Sequence, residues 1–142
     1  MAVLDYDPGA NSFVFNGELV TGYGDGTMIS FAREVASFSK VTGSQGDTTR
    51  IRSRNKTGAF TVRLLQTSPM NDRFSEYLRL DEAGVAQKHP AQLQDLLGTT
   101  KVNAEQAWVV GWAEISFSDG EEGREWTIET GATQVNVGGS VT

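Results

Sequence analysis

The chain has 142 residues, with 18 acidic against 12 basic side chains, for a formal charge of −6 at pH 7. That length predicts one domain, residues 1–142, burying roughly two-thirds of its unfolded surface around a single core. The complete lack of cysteine excludes disulfides, thiolate zinc sites and thiol nucleophiles, the acidic balance argues against a general nucleic-acid binder, and no apolar run approaches the ~18 residues of a membrane span.

The start, Met1 to Asp5, lacks the basic and apolar regions of a signal peptide, so synthesis and folding in the cytoplasm are expected. Sixteen glycines beside 14 threonines and 13 valines make a strand-and-turn composition. Alternation predicts a first strand over Ser12 to Leu19, with Phe13, Phe15, Gly17 and Leu19 on one face. The glycine-rich turn Gly22 to Gly26 follows, then Met28 to Val35 with Ile29, Phe31 and Val35 on one side. The stretch Lys40 to Gly58 is long and polar, and Arg50, Arg52, Arg54 and Lys56 fall in it at period two. If extended, all four cations project from one side of the ribbon. After the turn signal at Asn55 to Gly58, Phe60, Val62 and Leu64 alternate with Thr61 and Arg63 in a clear strand.

One segment reads as helix. Ser68 suits the N-cap, Pro69 the first helical position, and Met70, Phe74, Tyr77 and Leu78 form one apolar stripe. Asp72 favours the helix start and Gly84 closes the far end, while Asn71 stands where a capping box would need Glu or Gln. Residues 85–106 stay open: Pro90 breaks a helix through Gln87 to Gln92, and Leu93, Leu96 and Leu97 fit either a short strand or a helical turn. From Ala107 to Phe117 an extended reading is apolar on both faces, with Trp108, Val110 and Trp112 on the second. Such a strand needs cover on both sides, from the chain's own helix or from a neighbouring subunit. Asp119, Glu121, Glu122 and Glu125 then crowd a turn with Gly120 and Gly123. Trp126 and Ile128 mark a further strand, and Val135 and Val137 repeat the pattern before Gly138 and Gly139.

No constellation for catalysis emerges. His89 is the single histidine, followed by Pro90, and reads as an exposed loop residue, with neither a nucleophile elbow nor a second metal-spaced histidine. Asp5-Tyr6-Asp7 lacks the glycine and terminal glutamate of a calcium loop. Gly22-x-Gly24-x-Gly26 lacks the helix that a phosphate loop needs and reads as a hairpin turn. Asp81 and Glu82 are adjacent near a helix end and diverge. Neither catalytic residues nor a metal or cofactor site are expected. For the basic and acidic clusters two readings stand: charged, solvated edges that resist aggregation, or complementary patches that meet between subunits.

The order of several short motifs resembles bacteriophage tail tube proteins of the contractile-tail type, which are related to the tube protein of type VI secretion. The resemblance runs from Gly43-Ser44-Gln45-Gly46-Asp47 through Arg50 and Arg54-Asn55-Lys56-Thr57-Gly58 into Phe60 to Asp72. It returns at Gly98-Thr99-Thr100, at Ala104 to Trp108, and at Glu125-Trp126-Thr127-Ile128 with the late Gly-Gly. The resemblance implies a mainly β fold, a tail-tube-like β-sandwich or barrel. One α-helix, about residues 69–83, would flank it, and a long early loop or hairpin, about 40–58, would contact neighbouring rings. It further implies a structural virion protein, not an enzyme, assembled in the host cytoplasm into six-membered rings. The rings would stack into the hollow tube through which the genome is ejected. Expected partners are further copies of itself, a tail sheath outside, and baseplate or terminator proteins at the ends. DNA would cross the lumen without specific binding, and no membrane is involved. Candidate subunit contacts are Arg50, Arg52, Arg54 and Lys56 against Asp119, Glu121, Glu122 and Glu125, with Trp108 and Trp112 as apolar contacts. The alternatives are a baseplate or tail-tip ring protein of the same fold, and a monomeric β-sandwich that binds carbohydrate on Trp108, Trp112 or Tyr23. An acid/base hydrolase stands last.

Overall fold

The computed structural model describes residues 10–24 and 27–139. Asp5, Tyr6 and Asp7, and the Asp25-Gly26 end of the glycine-rich turn, lie outside them. Ten strands and one helix follow in chain order: β1 (Asn11–Phe15), β2 (Glu18–Leu19), β3 (Ile29–Arg33), β4 (Phe38–Thr42), β5 (Thr48–Arg52), β6 (Gly58–Leu65), α1 (Met70–Glu82), β7 (His89–Asp95), β8 (Lys101–Val109), β9 (Gly123–Thr130) and β10 (Thr133–Asn136). All but β4 and β5 belong to one antiparallel sheet, ordered β2-β1-β7-β8-β9-β6-β3 with β10 on β8. The expected mainly β fold with one flanking helix is what forms.

The sheet curls around its core. β1 and β6 stand four strand spacings apart, about 19 Å on a flat sheet, yet the rings of Phe13 and Phe60 lie 4.8 Å apart. Phe13, Phe15, Phe60, Val62, Leu64, Trp126 and Ile128 are buried on the inner face, as their alternation predicts. Helix α1 adds Met70, Phe74, Tyr77 and Leu78, the stripe read from the sequence, with the Phe74 ring 5.7 Å from Trp126 and 6.0 Å from Phe15. Pro69 stands just outside the helix with helical φ and ψ, and Ser68 Oγ accepts the Met70 N–H (3.3 Å) while donating to the Thr21 carbonyl (2.7 Å). At the far end Gly84, at φ 93°, donates to Asp81 O, and Val85 N–H donates to Leu80 O. This pair of bonds is the Schellman arrangement that glycine permits.

Several expectations are corrected. The first strand stops at Phe15, because Asn16 and Gly17 both take left-handed φ, 53° and 76°, and turn the chain back into β2. This two-residue Asn-Gly turn matches the twist of an antiparallel pair, and Leu19 is left exposed. β3 ends at Arg33, with Val35 exposed beyond it, and Val137 lies past the end of β10. The open stretch 85–106 resolves into β7 and the start of β8. Pro90 is tolerated within β7 because the register slips there, two steps on β7 opposing three on β8. The bulge at Glu105 and Gln106 also marks where β8 changes partner, from β10 at Ala104 to β9 at Ala107. His89 is on β7 rather than in an exposed loop, half-buried with its ring against Phe15 and Tyr77.

The strand read over Ala107 to Phe117 ends at Val109, and residues 110–122 leave the sheet. Val110 N–H still donates to Thr127 O (3.1 Å), and beyond it the chain leaves the ladder. Ala113 packs on the core, whereas Ile115 and Phe117 are largely exposed.

Candidate assembly surfaces

The polar stretch after β3 folds into a separate two-stranded hairpin, β4 with β5, that shares no ladder with the main sheet. Its register pairs Phe38 with Arg52, Ser39 with Ile51, Lys40 with Arg50, Val41 with Thr49 and Thr42 with Thr48. The turn is closed by Gly43 N–H donating to Asp47 O (2.7 Å), with Gly46 at φ 92°. Directly opposed residues share a face. Phe38, Lys40, Arg50 and Arg52 therefore occupy one side, where the Arg50 guanidinium lies 4.2 Å from the Phe38 ring centre, a cation–π distance. Val41 and Ile51 occupy the other. Every residue of both strands is exposed.

Of the four cations expected on one side, the structure puts Arg50 and Arg52 on one hairpin face. Arg54 and Lys56 fall beyond β5, in a segment shaped by Asn55 Oδ1 accepting the Thr57 N–H (3.0 Å). Among the described residues none of the four forms an ion pair.

The acidic residues gather at the other end of the molecule. β6 runs from Gly58, next to the cations, to Leu65, whose Cα partner is Gly123. Eight residues at 3.3 Å rise put about 23 Å between those ends. Asp119 and Glu121 lie in the 110–122 segment, where Glu121 Oε1 accepts the Gln66 N–H (2.6 Å). Glu122 and Glu125 border a polar hollow of about 220 Å³ with Arg63 and Glu114. Among the described residues no ion pair joins the two clusters within one chain.

Trp108 is half-buried on β8, on the face opposite Ala107 and Val109. Trp112 is half-exposed beside α1, donating Nε1–H to Glu82 Oε1 (2.9 Å), with its ring 6.4 Å from Trp126. Together with Ile115 and Trp126 it lines an open, mainly apolar cleft of about 250 Å³. Tyr23 is no exposed platform: it packs on the core, where burial pushes its phenol up to about 12. The apolar hairpin face and the exposed Ile115 and Phe117 were missed in sequence. The first needed the β4–β5 register, and the second was concealed by reading an unbroken strand.

The mainly β fold with one flanking helix is shared with subunits of contractile injection systems. The chain superimposes on the tube-terminating cap of the anti-feeding prophage with a TM-score of 0.65 at 11% identity, over 96% of this chain and 94% of the cap. It superimposes on a chain of the sheath–tube complex of the extracellular contractile injection system PVC with a TM-score of 0.66 at 11% identity, over 96% and 93%. The match to the sheath/tube terminator of that system has a TM-score of 0.64 at 10% identity, over 96% of this chain and all of the other (100%). At these identities the likeness is one of fold. In sequence, the chain is 24% identical over 123 residues to structural protein ORF10 of Pseudomonas phage KPP10, spanning 85% of this chain and 71% of that protein. No family model matches the chain.

Proposed function

We propose that this chain is a structural tail protein of the contractile-phage type that stacks as hexameric rings into the hollow tail tube, the conduit for genome ejection. The observation that carries the reading is the separation of two segments of opposite net charge: the basic ribbon 38–56 at the hairpin end of β6, and the acidic stretch 110–122 with Glu125 at the Leu65 end, where Arg63 and Arg124 are interleaved. A surface that is positive at one end and negative at the other favours head-to-tail contact between copies, the geometry that closes rings or propagates filaments. Exposed ion pairs are each worth only about 0–1 kcal/mol, so the charges set register and partner while apolar contacts hold the assembly. A charge of −6 suits a lumen that DNA crosses without sticking, since each phosphate bound would retard it. Structural protein ORF10 supports placement in the virion, and the sheath–tube complex supports a sheath as the outer neighbour.

The likeness to a cap and a terminator favours one second reading, a ring that closes the end of a tube. Negative-stain microscopy of the purified chain separates the two. Long hollow tubes support the tube subunit, discrete rings the terminal ring. A strict monomer at high concentration overturns both and favours a binding module.

A further inference from the structure

We infer that the apolar reverse face of the hairpin, Val41 and Ile51, seats on the exposed Trp112, Ile115 and Phe117 of a second copy of this chain. The inference deepens the tube reading and rests on it.

The hairpin has two faces with different chemistry. Its Lys40–Arg50–Arg52 side explains the charge contacts proposed above and leaves the opposite side unused. On that side Val41 is 57% and Ile51 47% exposed. A two-stranded hairpin free in water is marginal in stability, and among the described residues no other strand pairs with it. Its apolar face is therefore its means of being held.

The seat is identified by apolar matter and charge together. Within six residues the 110–122 segment exposes Trp112 at 51%, Ile115 at 74% and Phe117 at 80%. The same segment carries Glu114, Asp119, Glu121 and Glu122, with Glu125 just beyond it, against the Arg124 guanidinium that lies 5.4 Å from the Phe117 ring centre, so the seat stays net acidic. The ribbon from Phe38 to Lys56 carries Lys40, Arg50, Arg52, Arg54 and Lys56 against Asp47 alone. Two exposed apolar surfaces of opposite net charge thus stand at opposite ends of β6, and their contact falls between copies. Because the faces of a ribbon point in opposite directions, a hairpin seated by Val41 and Ile51 keeps its Arg50–Arg52 face free for acids beside the seat.

Lack of native cysteine makes the test direct. Ile51→Cys and Ile115→Cys chains are mixed, allowed to assemble and oxidised, with Ile51→Cys plus Val137→Cys as the comparison. A disulfide requires Cα atoms within about 7 Å. The expected result is a cross-linked dimer from the first mixture, well above the second. Tubes visible by microscopy with no such excess overturn this inference while leaving the tube reading intact. Failure of the unmodified chain to form any assembly overturns both. As a second measurement, Ile51→Ser is expected to raise the concentration needed for assembly about tenfold without moving the melting temperature, because Ile51 touches no part of its own core. Assembly at the unmodified concentration overturns the proposal.

Discussion

Arg73 shows how single side chains fix the helix to the sheet's edge. Its Nε–H donates to Glu18 Oε2 (3.0 Å), Nη2 pairs with Glu18 Oε1, and Nη1 reaches Glu76 Oε2 (3.2 Å). The guanidinium also lies 5.6 Å from the Tyr77 ring centre, and Asn16 Nδ2 donates to the Tyr77 hydroxyl (3.2 Å). The Asn16-Gly17 turn and the first half of α1 are thereby joined. The Arg73 guanidinium holds the Glu18 carboxyl below its ordinary 4.5. A carboxyl lowered on folding stabilises above its unfolded value and loses that contribution as pH falls through the folded one, so the window lies below about pH 4.5. Both side chains are part-exposed, so Glu18→Gln should lower the melting temperature by only about 1–2 °C at pH 7. The gap to the unmodified chain should narrow as the pH falls below about 4.5, and a constant gap across that range in thermal melts would refute the pairing. Gly58 offers a steeper test. A Cβ there would come within 2.6 Å of the Phe31 ring and 2.9 Å of the Ala32 carbonyl. Thr130 Oγ1 also accepts the Gly58 N–H at 3.1 Å, which locks the backbone in place. Gly58→Ala should therefore cost about 1–3 kcal/mol in a urea titration.

The hairpin and the body are separable elements, which makes charge reversal in the hairpin informative. Arg52 and Arg54 are exposed and contact nothing in the core. Arg52→Glu with Arg54→Glu should leave the melting temperature within about 1 °C, as surface changes away from packed features usually do. The same variant should stop stacking, with sedimentation and microscopy as the measures. Normal tubes from it would remove this ribbon from the interface. Strands with one buried face, such as β6 and β9, were legible because a period of two and a buried face are the same fact seen twice. The stripe of α1 and the Gly84 closure were legible for the same reason. Three features were not. Asn16-Gly17 is a strong local hairpin signal, but the longer alternation from Phe13 to Leu19 masked it. The bulge at Glu105 and Gln106 depends on which strands lie beside β8, and that is set by the whole sheet. The departure of residues 110–122 is not written in their alternation, which continues through Phe117 although the ladder ends at Val109. Of the interface candidates, residue identity was legible, but the two-faced hairpin required the pairing of Lys40 with Arg50 and Ser39 with Ile51.

At the scale of the whole molecule, the net charge of −6 conceals a polar arrangement: a basic, two-faced ribbon at one end and an acidic, apolar-edged segment at the other. Assembly built on such ends has two contributions that respond to salt in opposite ways. Raising ionic strength from about 0.1 M to 1 M shortens the screening length from about 10 Å to 3 Å, which weakens the cation–acid contacts. Apolar contacts are spared by sodium chloride and strengthened by sulfate, which is excluded from protein surfaces. Sodium chloride should therefore raise the concentration needed for assembly without abolishing it, and sulfate at the same ionic strength should restore much of the loss. Ile51→Ser should recover less in sulfate than the unmodified chain, because it lacks the apolar contact that sulfate reinforces. Pelleting assays across both salts measure all three effects. Assembly indifferent to sodium chloride would show that the opposed charges of this chain do not bring its copies together.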